Sequence, residues 1–142
     1  MKTKALIIKI IGKQEWTPVL DIAVPDSVVH NGIYFYTWEQ AMNAADIFID
    51  AHPGEGWRVP TIKDNENLLA ECWENIKKGF PCNGFVYPNG DYFQNDEGSF
   101  WTSECVFGGN MAALTVKDEK IIDIQEAVYK TYHLTIKLVR DL

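Results

Sequence analysis

Acidic and amide side chains between positions 91 and 104 are the residues of this sequence best suited to chemistry. They are Asp91, Asn95, Asp96, Glu97 and Glu104. Oxygen ligands of this kind bind calcium, and two suitably spaced carboxylates can hydrolyse a glycosidic bond. The same residues also fit a solvated acidic loop, which is the interpretation we favour. We therefore predict no metal ion and no cofactor, and we leave weak calcium binding open.

The common sequence signatures of enzymes are missing. The chain contains no G-x-S-x-G, no H-E-x-x-H and no phosphate-binding glycine loop. Its histidines, His30, His52 and His133, have no acid or nucleophile at a suggestive spacing. We predict that the protein has no catalytic residues and is not an enzyme.

The cysteines do not form a metal-binding pattern. The cysteines are Cys72, Cys82 and Cys105, and their spacing includes no C-x-x-C pair. No histidine lies at zinc-ligand spacing from them. Cys72 lies on the apolar face of a predicted helix, which favours a buried thiol. A Cys82–Cys105 disulfide would fit an oxidising compartment, whereas the lack of an export signal favours free thiols.

Charge and hydropathy limit the partners and the location. The formal net charge is −7 and Lys77-Lys78 is the only adjacent basic pair, so we predict no nucleic-acid partner. Lys9 interrupts the apolar run at 5–8, which favours a strand over a signal peptide. No segment is long and apolar enough to cross a membrane. We expect a protein of the cytoplasm, or of a particle released by lysis.

Helix signals occur twice, in the first half of the chain. Thr37 and Gln40 form a capping-box pattern at the start of one helix, and Pro53-Gly54 ends it. Thr61 is the expected N-cap of the second, which Gly79 and Pro81 stop. The apolar faces repeat every three or four residues; they comprise Trp38, Ala41, Ala45, Phe48 and Ile49 in the first helix, and Leu68, Leu69, Cys72, Trp73 and Ile76 in the second.

Extended segments make up most of the remainder. Asn31-Gly32 is a strong hairpin signal, and Pro88-Asn89-Gly90-Asp91 has the residues of a turn. The fold class that follows is α+β over one domain, 1–142, with two helices, a mostly antiparallel sheet and a strand at each end of the chain. Strands are predicted at 4–11, 16–24, 28–30, 33–36, 85–87, 92–93, 100–106, 112–116, 121–124 and 133–139.

Loop residues between 85 and 110 combine aromatic and adaptable polar side chains. Such mixtures are typical of surfaces that contact sugars or proteins. The residues that carry this prediction are Tyr87, Asn89, Asp91, Tyr92, Phe93, Asn95, Asp96, Trp101, Glu104, Phe107 and Asn110.

Three motifs resemble a known family. They are Tyr36-Thr37-Trp38-Glu39-Gln40-Ala41, then Gly56-Trp57-Arg58-Val59-Pro60-Thr61, and then Phe100-Trp101-Thr102-Ser103, followed by a terminal strand that ends in Val139-Arg140-Asp141. In this order they resemble the bacterial FISUMP (Fib-succ-major paralogous) domains over residues 33–141. The resemblance implies a C-type-lectin-like fold, in which the terminal strands pair and a long loop region projects.

Structural roles explain the motif residues. Trp57 and Trp101 are expected to anchor the loop region on the core. Pro60 prevents helix before it and presents Thr61 as the cap. Arg58 is expected to pair with a carboxylate, for which the candidates are Glu66 and Glu104.

This sequence matches poorly the motifs of two activities known within the C-type-lectin-like fold. The sugar-binding calcium site of C-type lectins uses E-P-N or Q-P-D with W-N-D, but Pro88-Asn89 lacks the preceding acid and Trp101 is followed by Thr102-Ser103. Formylglycine-generating oxidases resemble this chain at 58–61, yet residues around Cys82 and Cys105 do not match their reactive cysteines.

The sequence thus predicts a non-catalytic recognition module that binds a protein or glycan through residues 85–110. The alternative is a structural or decorating component of a larger assembly such as a phage particle. Self-association is left open.

Overall fold

A computed structural model describes residues 9–11, 13–71, 79–94, 96–117 and 120–142. The chain is an α+β domain with two helices and several antiparallel strand pairs, as predicted. In chain order the elements are β1 (Lys9–Ile11), β2 (Gln14–Trp16), β3 (Val28–His30), β4 (Ile33–Phe35), α1 (Trp38–Ala51), α2 (Ile62–Leu69), β5 (Phe85–Val86), β6 (Tyr92–Phe93), β7 (Glu97–Cys105), β8 (Met111–Lys117), β9 (Lys120–Val128) and β10 (Val139–Asp141). A 3₁₀ turn spans Phe107–Gly109.

The two ends of the chain meet in one three-stranded sheet. Strand β2 lies between β1 and β10 and is antiparallel to both. Arg140 pairs in register with Glu15, and its Nε donates to the Glu15 carboxylate at 2.6 Å. The predicted strand 4–11 is observed from Lys9, and positions 1–8 lie outside the described residues. Of the predicted strand 16–24, only Trp16 is in regular pairing.

Both helices begin where the sequence predicts. Thr37 caps α1 and Thr61 caps α2, each in a complete capping box, whose third residue is Gln40 in α1 and Asp64 in α2. The apolar face of α1 is buried through alanines against the core. On α2 Leu68 is buried, but Leu69 is 46% exposed, so its predicted place on the buried face is wrong. Positions 72–78, with Cys72, Trp73 and Ile76, lie outside the described residues.

A second three-stranded sheet, β7-β8-β9, forms the body of the second half. All its pairings are antiparallel, and the register shifts between Trp101 and Cys105 and at two points between β8 and β9. Strand β7 begins at Glu97 rather than at the predicted residue 100, and β9 continues to Val128 rather than ending at 124. Strand β8 pairs with β7 on one side and with β9 on the other, and these pairings extend beyond the predicted bounds of all three strands.

The segment 133–138 runs between the two hydrophobic cores. Core one includes Leu134, Ile136 and Leu138, while core two contains Val139 and includes Trp16, Leu68, Phe80, Phe100, Leu114 and Val116. The segment forms single bridges to Tyr36, Val86 and Phe100 rather than the regular strand predicted at 133–139. Side chains of alternate residues therefore point to opposite faces, and both faces are buried.

Two short hairpins complete the fold. Asn31 and Gly32 join β3 to β4 with φ values of 53° and 79°, which is the two-residue turn that Asn-Gly predicts. The β5–β6 hairpin closes around residues 87–91, where Tyr87 N donates to Asp91 O at 2.8 Å. This second hairpin carries three of the side chains that line the candidate site, Phe85, Tyr87 and Phe93.

Candidate functional site

An aromatic cleft lies between the β5–β6 hairpin, the first residues of β7 and the segment at and after the end of β9. Its volume is about 330 Å³. Tyr129 stands at its open side and is 62% exposed. We call this feature the aromatic cleft; its lining residues are Phe85, Tyr87, Phe93, Glu97, Ser99, Val128, Tyr129, Tyr132 and Leu134.

The rings of the cleft form a connected cluster in which Tyr87 stands at steep angles to Phe85 and Phe93, while Phe85 and Phe93 are tilted by 36° to each other. The Phe85 and Tyr87 ring centroids are 5.2 Å apart with planes at 72°, and those of Tyr87 and Phe93 are 5.9 Å apart at 75°. Tyr132 joins the cluster at 5.7 Å from Tyr87, and Tyr129 lies 6.4 Å from Tyr132. Edge-to-face contacts of this kind hold the rings in fixed orientations.

The tyrosine hydroxyls of the cleft differ from those of Tyr36 and Tyr92. The Tyr36 hydroxyl is bonded to the backbone of Ile22, and the Tyr92 hydroxyl donates to Asn83 O at 2.7 Å. By contrast, the hydroxyls of the three cleft tyrosines make no hydrogen bond to any residue that the structure describes. They are therefore available to a ligand; the three residues are Tyr87, Tyr129 and Tyr132.

Glu97 contributes the carboxylate of the lining. It is half-buried at the start of β7, and within the described part of the chain nothing is hydrogen-bonded or ion-paired to its carboxylate. Lys117 is its partner in the β7–β8 register, but the two side chains do not form an ion pair. A negative charge beside aromatic rings thus remains for a ligand to meet.

Two glycines allow the hairpin to approach the sheet closely. Gly84 and Gly98 form a parallel bridge, and Gly84 N donates to Glu97 O. A Cβ atom at Gly84 would overlap with the Phe93 carbonyl oxygen, and one at Gly98 would overlap with the Pro81 carbonyl oxygen. Only glycine fits this approach, which places the aromatic residues of β5 and β6 over the start of β7.

The C-terminal segment closes the other side of the hairpin. His133 and Val86 exchange two backbone hydrogen bonds of 2.9 and 2.8 Å. Burial lowers the pKa of His133 below its usual value, and its Nδ1 is buried without a hydrogen-bond partner. The bridge between His133 and Val86 sets Leu134 and Tyr132 against the ring cluster.

The predicted recognition residues are divided between the cleft and the rest of the loop region. Tyr87 lines the aromatic cleft, whereas Asn89 and Asp91 are exposed at the hairpin turn, where Asp91 N donates to Asn89 Oδ1 at 2.9 Å. Tyr92 stacks on His30 with ring centroids 3.7 Å apart. The others are Asp96, exposed with a φ of 53°; Asn110, partly buried after the 3₁₀ turn; and Asn95, which lies outside the described residues.

Trp101 and Glu104 have structural positions. Trp101 is 1% exposed and its Nε1 donates to Tyr36 O at 2.7 Å, so it cannot contact a ligand from this position. Glu104 accepts from Ile62 N at 3.1 Å and thereby caps the start of α2. Burial of Trp101 contradicts its predicted place in a ligand-contacting face, whereas Glu104 is half-buried and its place there stays a prediction.

Arg58 pairs with aspartates rather than with the predicted Glu66 or Glu104. It forms a two-pronged contact with Asp64, and its Nη2 also lies 3.0 Å from an Asp141 oxygen. Burial would raise the pKa of Asp64, but hydrogen bonds from Arg58, Thr61 N and Gln14 outweigh it and hold that pKa below its usual range. Arg58 thus ties α2 to the terminal strand.

The tryptophan of the second motif is also internal. Trp57 is 4% exposed, its Nε1 donates to Glu55 at 2.9 Å, and the Arg140 guanidinium lies 4.6 Å from its ring. Pro60 is buried, and its carbonyl accepts from Ser103 N at 2.9 Å. These contacts join the region around α2 to β7 and to the C-terminus.

Metal, disulfide and membrane features can be assessed for the described residues. Within them, no group of three or more His, Cys, Asp or Glu side chains could hold a metal ion. Cys82 and Cys105 do not form a disulfide with each other, and Cys105 is exposed. Among the helices in the described ranges, none has the length and apolar character needed to span a membrane.

Four lining residues escaped the sequence interpretation because they lie at the end of β9 or after it, far from the 85–110 loop region. Tyr129-x-x-Tyr132 is a pair of aromatic residues in a polar stretch, and that signal could have identified this part of the site. The four are Val128, Tyr129, Tyr132 and Leu134.

Searches against protein-family models, curated proteins and solved structures found no match for this chain.

Proposed function

We propose that this protein is a non-catalytic recognition module that binds a protein or glycan ligand in the aromatic cleft. The observation that carries the proposal is a cluster of oriented rings at the protein surface, beside tyrosine hydroxyls and a carboxylate that have no partner among the residues that the structure describes. Tyrosine combines apolar area with a polar tip and loses little conformational entropy when it binds, which is why binding surfaces are rich in it.

The chemistry of the lining favours binding over hydrolysis. A glycosidase of the usual kind needs two carboxylates on either side of the scissile bond, and Glu97 is the carboxylate of this cleft. Ser99 also lines it, but Ser99 is 5% exposed and its carbonyl accepts from the backbone of Thr135. Shape and stacking therefore account for this surface more simply than a reaction does.

We further propose a C-type-lectin-like fold related to the FISUMP domains. Support comes from the C-terminal strand, which pairs with β2 of the N-terminal hairpin, and from two helices early in the chain. Trp57 and Trp101 lie at the base of the region that follows α2, as anchors of an irregular excursion would. A crystal structure that failed to superpose on any C-type-lectin-like domain would refute this part.

The test is a combined glycan and protein-partner screen with matched variants. Tyr129→Ser removes the most exposed ring of the cleft, and we expect it to weaken binding at least fivefold, since a buried aromatic anchor contributes about 1 kcal/mol or more. Ile47→Ser, at a 44% exposed site on α1, is the control and should leave affinity unchanged. A ligand that binds both variants as tightly as the wild type would exclude the aromatic cleft.

The alternative of a structural component has its own readout. Size-exclusion chromatography with light scattering measures the mass of the 142-residue chain in solution. A concentration-dependent assembly that Tyr129→Ser abolishes would make the aromatic cleft an assembly contact instead of a ligand site.

A further inference from the structure

We propose that the occupant of the aromatic cleft is the ammonium group of a lysine side chain, methylated or not, in a basic segment of a protein partner. This inference rests on the proposed function, because it names the ligand of the same cleft. It follows from the ring faces, from the unpaired Glu97 and from the charge of the whole chain.

The rings provide the first argument. An aromatic face carries a negative partial charge, so several faces set at steep angles around one space attract a cation. In the aromatic cleft the planes of Phe85 and Phe93 both stand at more than 70° to that of Tyr87. Faces that point in different directions suit a compact, roughly spherical group such as an alkylammonium better than a flat ring.

The protein already uses cation–aromatic pairs elsewhere. Arg140 lies over Trp57 at 4.6 Å, and Lys130 lies over Trp38 at 5.1 Å. Lys130 follows Tyr129 directly, yet it faces Trp38 and not the aromatic cleft. Within the described ranges, no lysine or arginine of the chain lies over a ring of the cleft. The parts of the ring faces that neighbouring rings do not cover are therefore open to a cation from outside.

Charge complementarity supplies the second argument. Glu97 lines the cleft without an ion-pair partner among the described residues, and exposed Asp96 precedes it. The formal net charge of −7 adds a long-range field that attracts basic partners and speeds their association. A neutral glycan would gain nothing from this field.

The sign of the charge favours a lysine over a lipid headgroup. A volume of about 330 Å³ has room for either ammonium group, so the neighbouring charges decide between them. Choline headgroups carry a phosphate next to the ammonium, and that anion would be repelled by Glu97 and Asp96. A lysine brings the cation without an adjacent anion.

The experiment uses small probes and the full chain. Backbone amide shifts would be followed by NMR during titration with Nα-acetyl-Nε-trimethyllysine methylamide, its unmethylated form, choline, phosphocholine, and the neutral isostere 3,3-dimethylbutan-1-ol. We expect the trimethyllysine probe to shift residues around Tyr87, Glu97 and Tyr129, with a dissociation constant on the order of millimolar. The neutral isostere should bind at least fivefold more weakly.

Variants separate charge from shape. Glu97→Gln should weaken the lysine probes about fivefold and should reduce the effect of salt on binding. Asp46→Asn is the matched control, because it removes one negative charge from an exposed position of α1 that does not line the aromatic cleft, and it should have little effect. Thermal unfolding of each variant checks that the fold is retained.

The possible outcomes distinguish a failure of the lysine inference from a failure of the proposed function. Equal binding of the cation and the neutral isostere, or a preference for a glycan at the same residues, overturns the lysine inference and leaves recognition at the aromatic cleft intact. Tighter binding of choline or phosphocholine than of the lysine probes overturns the choice of a protein partner. If no probe shifts the cleft residues and the screened ligands ignore Tyr129→Ser, the proposed function itself fails.

Discussion

Replacement of Lys137 by methionine should stabilise the protein, and the gain should be largest at and below neutral pH. Lys137 is 1% exposed, its Nζ has no hydrogen-bond partner among the described residues, and the amine lies 4.9 Å from the Phe80 ring centroid in core two. Burial lowers the pKa of this amine from 10.5 to about 7. Lys137→Met keeps the aliphatic length of the side chain and removes the group that burial disfavours.

The magnitude follows from proton linkage. At 1.36 kcal/mol per pH unit, a fall from 10.5 to about 7 corresponds to roughly 5 kcal/mol of lost stability when the unfolded amine is charged. Structural relaxation and water penetration reduce such costs, so we expect Lys137→Met to gain about 2–5 kcal/mol at pH 7. Between pH 7 and 10.5 the unfolded state binds more protons than the folded state, so wild-type stability rises with pH.

Urea unfolding at pH 7, 8, 9 and 9.5, followed by tryptophan fluorescence, tests this expectation. The upper limit avoids Tyr36, whose pKa is raised by burial and whose contribution falls once unfolded tyrosine ionises. The lower limit avoids His133, whose pKa is lowered below 6.5. Wild type should gain stability towards pH 9.5 and Lys137→Met should not, so the two curves converge.

Lys63→Met, at an exposed position of α2, is the control and should keep the wild-type slope. Parallel curves for wild type and Lys137→Met would refute the reasoning, because they would show that the buried amine stays charged in the folded protein. A variant less stable than wild type at pH 7 would show that the amine has a favourable partner.

Three further substitutions test the scaffold. Asp64→Ala should cost about 1–3 kcal/mol in urea at pH 7, because it removes a buried carboxylate that accepts from Arg58 and Gln14 and caps α2, while Arg58 keeps Asp141 as a partner; since the folded pKa of Asp64 is depressed, its contribution is present above pH 3.8 and should fade as the pH drops through the folded pKa, and an unchanged midpoint would contradict this. Trp101→Phe should cost about 1–3 kcal/mol in thermal unfolding, since it leaves the Tyr36 carbonyl without its indole donor; a loss below 0.5 kcal/mol would contradict this. Gly98→Ala should cost about 1–3 kcal/mol and weaken binding at the aromatic cleft, because its methyl group meets the Pro81 carbonyl oxygen; unchanged affinity would separate the cleft from the glycine bridge.

Local signals were enough to locate the helices and hairpins. Thr37 and Thr61 mark the two helix starts because a side-chain oxygen satisfies backbone donors within three residues, which needs no tertiary information. Asn31-Gly32 marks a turn for a similar reason. Leu69 shows the limit, since the amphipathic pattern predicts a buried face but only the packed neighbours decide how wide it is.

The C-terminal segment needed more than local pattern. Apolar and polar residues alternate around Lys137, which is typical of a strand with one solvent-exposed face. In the structure both faces of this segment are covered, one by core one and the other by core two. A lysine is rarely buried without a partner, so nothing in the sequence points to this position. Tertiary packing overrides the preference of the side chain.

The functional site was located only in part, and the reason is topological. Tyr87 was identified because it lies in a loop rich in turn residues, but the aromatic cleft is completed by Tyr129 and Tyr132 from beyond β9. Trp101 was misplaced for the opposite reason, since a tryptophan in a loop-rich region resembles a ligand platform until its indole is seen to bind Tyr36 O. Tyr129 and Tyr132 were missed because they lie far along the chain from residues 85–110, and Trp101 was assigned to the ligand site because of its residue type.

The same stretch of chain builds both the interior and the candidate ligand site, which makes them dependent on each other. Leu134 packs in core one and lines the aromatic cleft, His133 bridges to Val86 beneath the rings, and Lys137 lies three residues further on in core two. Removing the cost of the buried amine should therefore stiffen the segment that supports the cleft. The lysine probes can be titrated against Lys137→Met and against wild type to test this dependence. Equal affinities would show that core packing and support of the aromatic cleft by this segment are separable. The buried amine would then lower the stability of the protein without contributing to ligand binding.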